Sequence, residues 1–160
     1  MQRYLGIYLN DQLAMGLVWR ELARRAQRSN ADGDLGRALA DVAMAISEDV
    51  TTFKKIMRRL GIVQNPVKAL LAVGAERLGR LKLNGAVWTY SPLSRFVELE
   101  ILCMGIEGKK VLWSTLRDLA GLAARLPDVD FDELIRRAEE QRRILEPYRA
   151  SSGTAALAPS

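Results

Sequence analysis

Asp49 stands where its surroundings call for an apolar side chain. It falls within the series Leu35, Leu39, Val42, Ile46, Asp49, Phe53, Ile56 and Leu60, whose alternating steps of four and three trace one face of a helix. Gln12 is the polar member of a second such series, Leu5, Leu9, Gln12, Gly16, Trp19, Ala23 and Ala26. Antiparallel helices rise together at about 1.5 Å per residue, so counting back from the turn between the two series brings Gln12 within about one turn of Asp49. Two chemistries follow. A buried carboxylate facing an amide, with a lysine in reach, makes a hydrogen-bonded polar layer that fixes helix register. With Glu48 beside it and Glu107 at the same level on a later helix, the same carboxylate offers oxygen ligands to a hard cation. Lys109 and Lys110 adjoin Glu107 and compete for those carboxylates, so the polar layer of Gln12 and Asp49 is the preferred reading and no metal is expected.

Other chemistry is sparsely provided for. The chain has no histidine, so no imidazole is at hand to activate a serine or a thiol. Its one cysteine, Cys103, lies among Ile101, Leu102 and Met104, the setting of a small core residue with a raised pKa. Gly79 to Gly85 lacks the glycine-lysine-serine/threonine ending and the preceding strand of a phosphate loop, and no dinucleotide fingerprint occurs. No catalytic residue and no cofactor are expected. Charge is uneven: between Thr51 and Tyr90, Lys54, Lys55, Arg58, Arg59, Lys68, Arg77, Arg80 and Lys82 face only Glu76, in a chain whose net charge is +5. Of these, Lys54, Lys55, Arg58, Arg59, Arg77, Arg80 and Lys82, near Trp88 and Tyr90, form a candidate site for nucleic acid or another anionic surface. The ordinary reading of the first four is favourable placement at a helix C-terminus.

The elements that must position these residues are all helical. At 160 residues, with 49% hydrophobic and 27% charged side chains, the chain is sized for one domain with a substantial core. A first helix over about 2–29 stops at Ser29-Asn-Ala-Asp-Gly-Asp34, with Asp34 as the next cap. The second covers about 34–60 and ends at Gly61. Asn65-Pro66 opens a helix over about 66–80 inside a long crossover, followed by extended chain from Ala86 to Tyr90. Ser91-Pro92 opens a helix over about 92–125, ended by Pro127, and Asp130 with Glu133 opens the last, over about 130–148. Residues 150–160 lack periodicity and charge and read as a disordered tail.

The 92–125 helix carries two apolar stripes. Val97, Ile101, Met104, Gly108, Val111, Thr115 and Leu122 form one. Leu99, Leu102, Ile106 and Trp113 form the other, which flanks the first and is the candidate surface for a protein partner or a homo-oligomer. No stretch has the eighteen or so apolar residues of a membrane span, no signal peptide is read at the start, and an unpaired cysteine fits a cytoplasmic location.

Two antiparallel hairpins of long helices joined by one long crossover is the topology of the ferritin-like four-helix bundle. The segments Tyr8-Leu-Asn-Asp-Gln-Leu13, Leu60-Gly-Ile-Val-Gln-Asn-Pro-Val67, Gly79-Arg-Leu-Lys-Leu-Asn-Gly85 and Ser91-Pro-Leu-Ser-Arg-Phe-Val-Glu-Leu-Glu100 resemble a group of uncharacterised bacterial proteins assigned to that superfamily. The resemblance implies an all-α, ferritin-like bundle. For the superfamily it also implies a di-iron or di-manganese site with a glutamate on each of two helices and a Glu-x-x-His pair on each of the others. This chain departs from that pattern. Its nearest equivalents are Glu48-Asp-Val-Thr51 and Glu139-Glu-Gln-Arg142, and the cation of Arg142 repels a metal where a neutral imidazole would bind it. Ferroxidase and oxygenase chemistry are therefore disfavoured, and the expected role is non-redox: protein-partner binding or self-association, with the carboxylate metal site and polyanion binding as alternatives.

Overall fold

A computed structural model describes residues 2–65, 67–68, 71, 74 and 90–158. The described residues are helical, with no strand among them, and no helix among them is long and apolar enough to cross a membrane. Four long helices, α1 (Gln2–Ser29), α2 (Gly33–Arg59), α3 (Pro92–Ser114) and α5 (Phe131–Leu157), carry the core, and a short α4 (Leu122–Arg125) lies between α3 and α5.

Local chemistry sets most of the ends. The turn after α1 folds back so closely that a Cβ on Gly36 would lie 2.4 Å from the Asn30 carbonyl oxygen, which restricts that position to glycine. Asp32, rather than Asp34, is the cap of α2; Asp34 falls in the first turn and pairs with Arg37. Gly61, at φ 67°, closes α2 in a Schellman arrangement, its N–H donating to Arg58 O (3.0 Å) and that of Ile62 to Met57 O (3.0 Å). Ser91 accepts from Ser94 N (3.1 Å) with Pro92 in the first turn of α3, and Asp130 accepts from Glu133 N (2.9 Å) at the start of α5.

Two boundaries differ from the sequence expectation. The 92–125 helix is broken: after Ser114 the backbone makes one turn of π-helix, Thr115–Leu119, with Ala120 N donating to Thr115 O (2.9 Å), and Gly121 at φ 61° turns the chain into α4. That extra residue per turn rotates the apolar series so that Leu116 and Leu122 are both fully buried. The last helix does not stop at Pro147, and residues up to Leu157 are helical rather than disordered. The cause is packing. Gly153 lies against the Phe96 ring, where an added Cβ would come within 2.8 Å of the ring's Cε2, and this contact holds the segment in place of helix propensity. The expected helix over 66–80 falls largely outside the described residues; Val67, Lys68, Leu71 and Gly74 are helical.

Named contacts fix the packing. Arg25 Nε donates to Glu98 Oε1 (2.6 Å) and Arg95 Nε to Asn30 Oδ1 (2.7 Å), so α3 starts beside the end of α1 and runs antiparallel to it. Arg137 meets Glu48 and Arg59 meets Asp128, so α5 runs antiparallel to α2. Arg149 meets Glu100 and Arg117 meets Asp132, so α5 is antiparallel to α3 as well. Each long helix thus packs on two others: α1 on α2 and α3, α5 on α2 and α3.

The core lies in two apolar clusters along this array. One gathers Leu9, Leu13, Phe53, Ile56, Met57, Trp113, Leu116 and Phe131. The other gathers Leu22, Ala26, Leu39, Val42, Leu99, Leu102, Ile106 and Leu145. Along α2 the change from one cluster to the other falls between Ile46 and Val50, and along α3 between Ile106 and Leu112. Asp49 and Lys109 occupy those gaps.

Candidate functional site

Asp49 is buried, with 3% of its surface exposed. Its Oδ2 accepts from Lys109 Nζ (2.5 Å) on α3 and from Gln141 Nε2 (3.1 Å) on α5, and Lys109 also donates to Gln141 Oε1. On the outer side Arg137 approaches Asp49 Oδ1 at 3.5 Å while donating to Glu48 Oε2 (2.7 Å). Three helices therefore meet in one ion-paired and hydrogen-bonded layer. Burial pushes the Lys109 ammonium below the ordinary lysine range, against the pull of the Asp49 carboxylate.

The partners of Asp49 are thus Lys109 and Gln141. Gln12 makes no hydrogen bond to it; it lies half-buried in the wall of a cavity that Asp49 and Lys109 also line. This cavity, of about 270 Å³, opens between α1 and α3. Leu13, Ile46, Phe53, Leu102, Ile106 and Trp113 give it an apolar lining, and Met15 and Met104, 46% and 67% exposed, stand at its outer edge. Gly16, Gly105 and Gly108 border it; Gly108 is exposed, and a Cβ built there meets nothing within 4 Å. At Gly105 the opposite holds: a Cβ would come within 2.5 Å of the Trp19 ring, so glycine is what lets that ring lie on α3. Asp49 Oδ1 and Trp113 Nε1, both on residues of the cavity wall, are buried without a hydrogen-bond partner among the described residues.

The stripe of Leu99, Leu102, Ile106 and Trp113 is not an exterior surface. These residues are 1%, 0%, 2% and 1% exposed and belong to the core. The outward stripe is the other one, with Met104 and Val111 exposed, because α3 turns toward α1, α2 and α5 the face that bears Lys109. The partner surface assigned to those four residues is therefore corrected.

The carboxylates proposed for a metal do not converge. Glu48 is held by Arg137, Asp49 by Lys109, and Glu107 by Lys110 (3.2 Å) with Arg142 at 4.0 Å. Among the described residues no group of three or more His, Cys, Asp or Glu side chains comes together. Each carboxylate already faces a cation, so the residues present do not fit the di-metal centre that the ferritin-like resemblance implies.

Of the basic cluster, Lys55 and Arg58 are exposed, Lys54 is half-buried, and Arg59 is paired with Asp128 (2.6 Å). Arg77, Arg80 and Lys82 lie outside the described residues, as does Trp88. Tyr90 is drawn into a clasp at the far end of the array. Its hydroxyl accepts from Asn30 Nδ2 (2.8 Å) and donates to Glu98 Oε2 (2.9 Å), with Arg95 over its ring at 5.9 Å. Partial burial, together with Glu98, pushes the phenol up to about 12. Cys103 is buried, and desolvation raises its thiol.

Set against protein-family models, curated proteins and solved structures, the chain matches none.

Proposed function

We propose that this protein is a binding protein without redox chemistry, built as a ferritin-like four-helix bundle, and that the cavity between α1 and α3 is where it takes an apolar ligand. The observation that carries this reading is the cavity itself. About 270 Å³ of apolar space sits against a polar layer in the middle of the array, and glycines border it on both helices. A packed core has no use for such a gap, whereas a pocket does.

The polar layer supports the non-redox part. Lys109 supplies, as a fixed ammonium, the positive charge that inward carboxylates would otherwise seek from a metal. The ferritin-like part rests on the antiparallel pairings described above and on the resemblance of the segments quoted. A reducing, cytoplasmic setting agrees with the free Cys103.

Isothermal titration with a compact neutral probe, para-tert-butylphenol, tests the reading. Binding is expected for the native chain and is expected to be lost in Gly108→Phe and Gly16→Leu, which fill the cavity from opposite walls. No binding, or binding that both variants retain, overturns the pocket. Elemental analysis tests the other half: stoichiometric iron, manganese or zinc that Glu107→Ala removes refutes the non-redox reading.

A second reading draws on the exposed Met15, Met104 and Val111. These make the outer α1/α3 face a candidate for self-association, with a side chain of the second copy entering the same cavity. Sedimentation at micromolar concentration distinguishes the two, because a monomer that binds the probe excludes it.

A further inference from the structure

Resting on the pocket reading, we propose that the ligand is an uncharged, compact, largely hydrocarbon molecule, and that the Asp49–Lys109 pair is the device that excludes ions. Size comes first. An apolar cavity of about 150 Å³ is enough for benzene, so about 270 Å³ admits about ten to twelve non-hydrogen atoms. A nucleotide, a haem or a long-chain lipid is not enclosed by that space.

Charge comes second. The ionised groups on the cavity wall are one carboxylate and one ammonium, and they are joined to each other at 2.5 Å. The carboxylate also accepts from Gln141, and the ammonium donates to Gln141 as well. Outside them, Arg137 and Glu48 form another closed pair at 2.7 Å. An entering anion finds the ammonium already taken and a carboxylate beside it. An entering ammonium meets a carboxylate whose Oδ2 is held by Lys109 and Gln141 and whose Oδ1, though without a hydrogen bond, already has the Arg137 cation at 3.5 Å. Either loses its hydration and gains no free counter-charge, a penalty that a neutral molecule escapes. Gln12, an uncharged amide in the wall, offers a donor and an acceptor to a hydroxyl or carbonyl on the ligand.

Three near-isosteric probes test this: para-tert-butylphenol, para-isopropylbenzoate and para-tert-butylbenzylammonium, titrated at neutral pH into the native chain. The phenol is expected to bind at least about tenfold more tightly than either ion, the scale of one charge-assisted hydrogen bond left unmade. Asp49→Asn keeps the shape and frees the ammonium, so the benzoate is expected to gain about tenfold on the phenol. Lys109→Met frees the carboxylate, and the benzylammonium is then expected to gain instead. If an ion binds the native chain as well as the phenol does, and Gly108→Phe still blocks it, the pocket stands and the exclusion of ions is overturned. If no probe binds the native chain, the pocket reading falls and the inference with it. The native titrations give the order of affinities without reliance on any variant, and Gly108→Phe locates the binding.

Discussion

Lys109→Met removes the cation from the buried layer and leaves Asp49 in place. Breaking a buried pair from one side costs about 3–5 kcal/mol, because the surviving charge is left uncompensated. Here the cost is reduced. Asp49 Oδ2 keeps the Gln141 amide at 3.1 Å, Oδ1 keeps Arg137 at 3.5 Å, and the Lys109 side chain is 13% exposed, so water reaches part of the vacated space. The expected loss is about 2–3 kcal/mol, which in a chain of this size lowers Tm by about 5–10 °C. Asp49→Leu, which strands the ammonium instead, is expected to cost a similar amount. Replacing the whole layer at once, as Asp49→Leu, Lys109→Met and Gln141→Leu, removes every polar group that would otherwise be orphaned. That variant is expected within about 1 kcal/mol of the native chain, since apolar replacements of buried ion pairs are often neutral or better. Urea denaturation with an unchanged m-value is the assay. A single variant that loses less than about 0.5 kcal/mol, or a triple variant as unstable as the sum of the singles, refutes the account of the layer as mutually compensating charges.

Gly108→Ala is expected to raise stability by up to about 1 kcal/mol, because the position is helical and open, and thermal denaturation reads it. Gly105→Ala is expected to lose about 1–3 kcal/mol by the same assay, since its Cβ would collide with the Trp19 ring. For Tyr90 the folded state favours the protonated phenol, its pKa being pushed from 10.0 up to about 12. Its stabilisation is therefore complete below pH 10 and is lost as pH rises from there toward 12; a stability profile over that window flattens in Tyr90→Phe. Removing the residues after Tyr148 is expected to uncover Phe96, now 8% exposed, and to lower the urea midpoint, where a disordered tail would leave it unchanged.

Helix α2 was legible because it has a single apolar face: Leu39, Val42, Ile46, Phe53 and Ile56 are buried along the line that the spacing traces. On α1 the traced line holds the buried Leu9, Ala23 and Ala26, but Leu13, Leu17 and Leu22 beside it are buried too, while Leu5, Gln12, Gly16 and Trp19 on it are half-buried. The caps of α3 and α5 were legible for a related reason: Ser91-Pro92 and Asp130 with Glu133 act through bonds to their own next turn, which do not depend on distant residues. Helix α3 resisted because its two stripes are equally apolar, and burial is then settled by the neighbours rather than by the helix. The extension of α5 resisted for the same reason. What orders Gly153 is a ring on another helix, and helix propensity alone reads Ser151-Ser-Gly-Thr154 as a stop.

The site was half legible. Asp49 stood out as a polar residue in an apolar series, but the same test applied to the other helices finds its true partners. Lys109 falls in the series Leu99, Leu102, Ile106, Lys109, Trp113 and Leu116, and Gln141 falls in Phe131, Leu134, Ala138, Gln141 and Leu145, each the one polar member of an otherwise apolar line. A lysine there breaks the pattern as sharply as the aspartate does, and two such breaks of opposite sign on parallel helices call for each other, since neither charge is tolerable alone inside a core. Choosing the stripe that contains Lys109 as the inward face of α3 would have given the burial of Leu99, Leu102, Ile106 and Trp113 from the sequence. The cavity has no comparable signature. Residues of α1, α2 and α3 line it together, with Gly16, Gly105 and Gly108 among them, and glycine spacing within a helix says nothing of what the other helices bring opposite. Only the packing of α1 on α3 brings the two walls together around one space, with the Asp49–Lys109 pair in its lining.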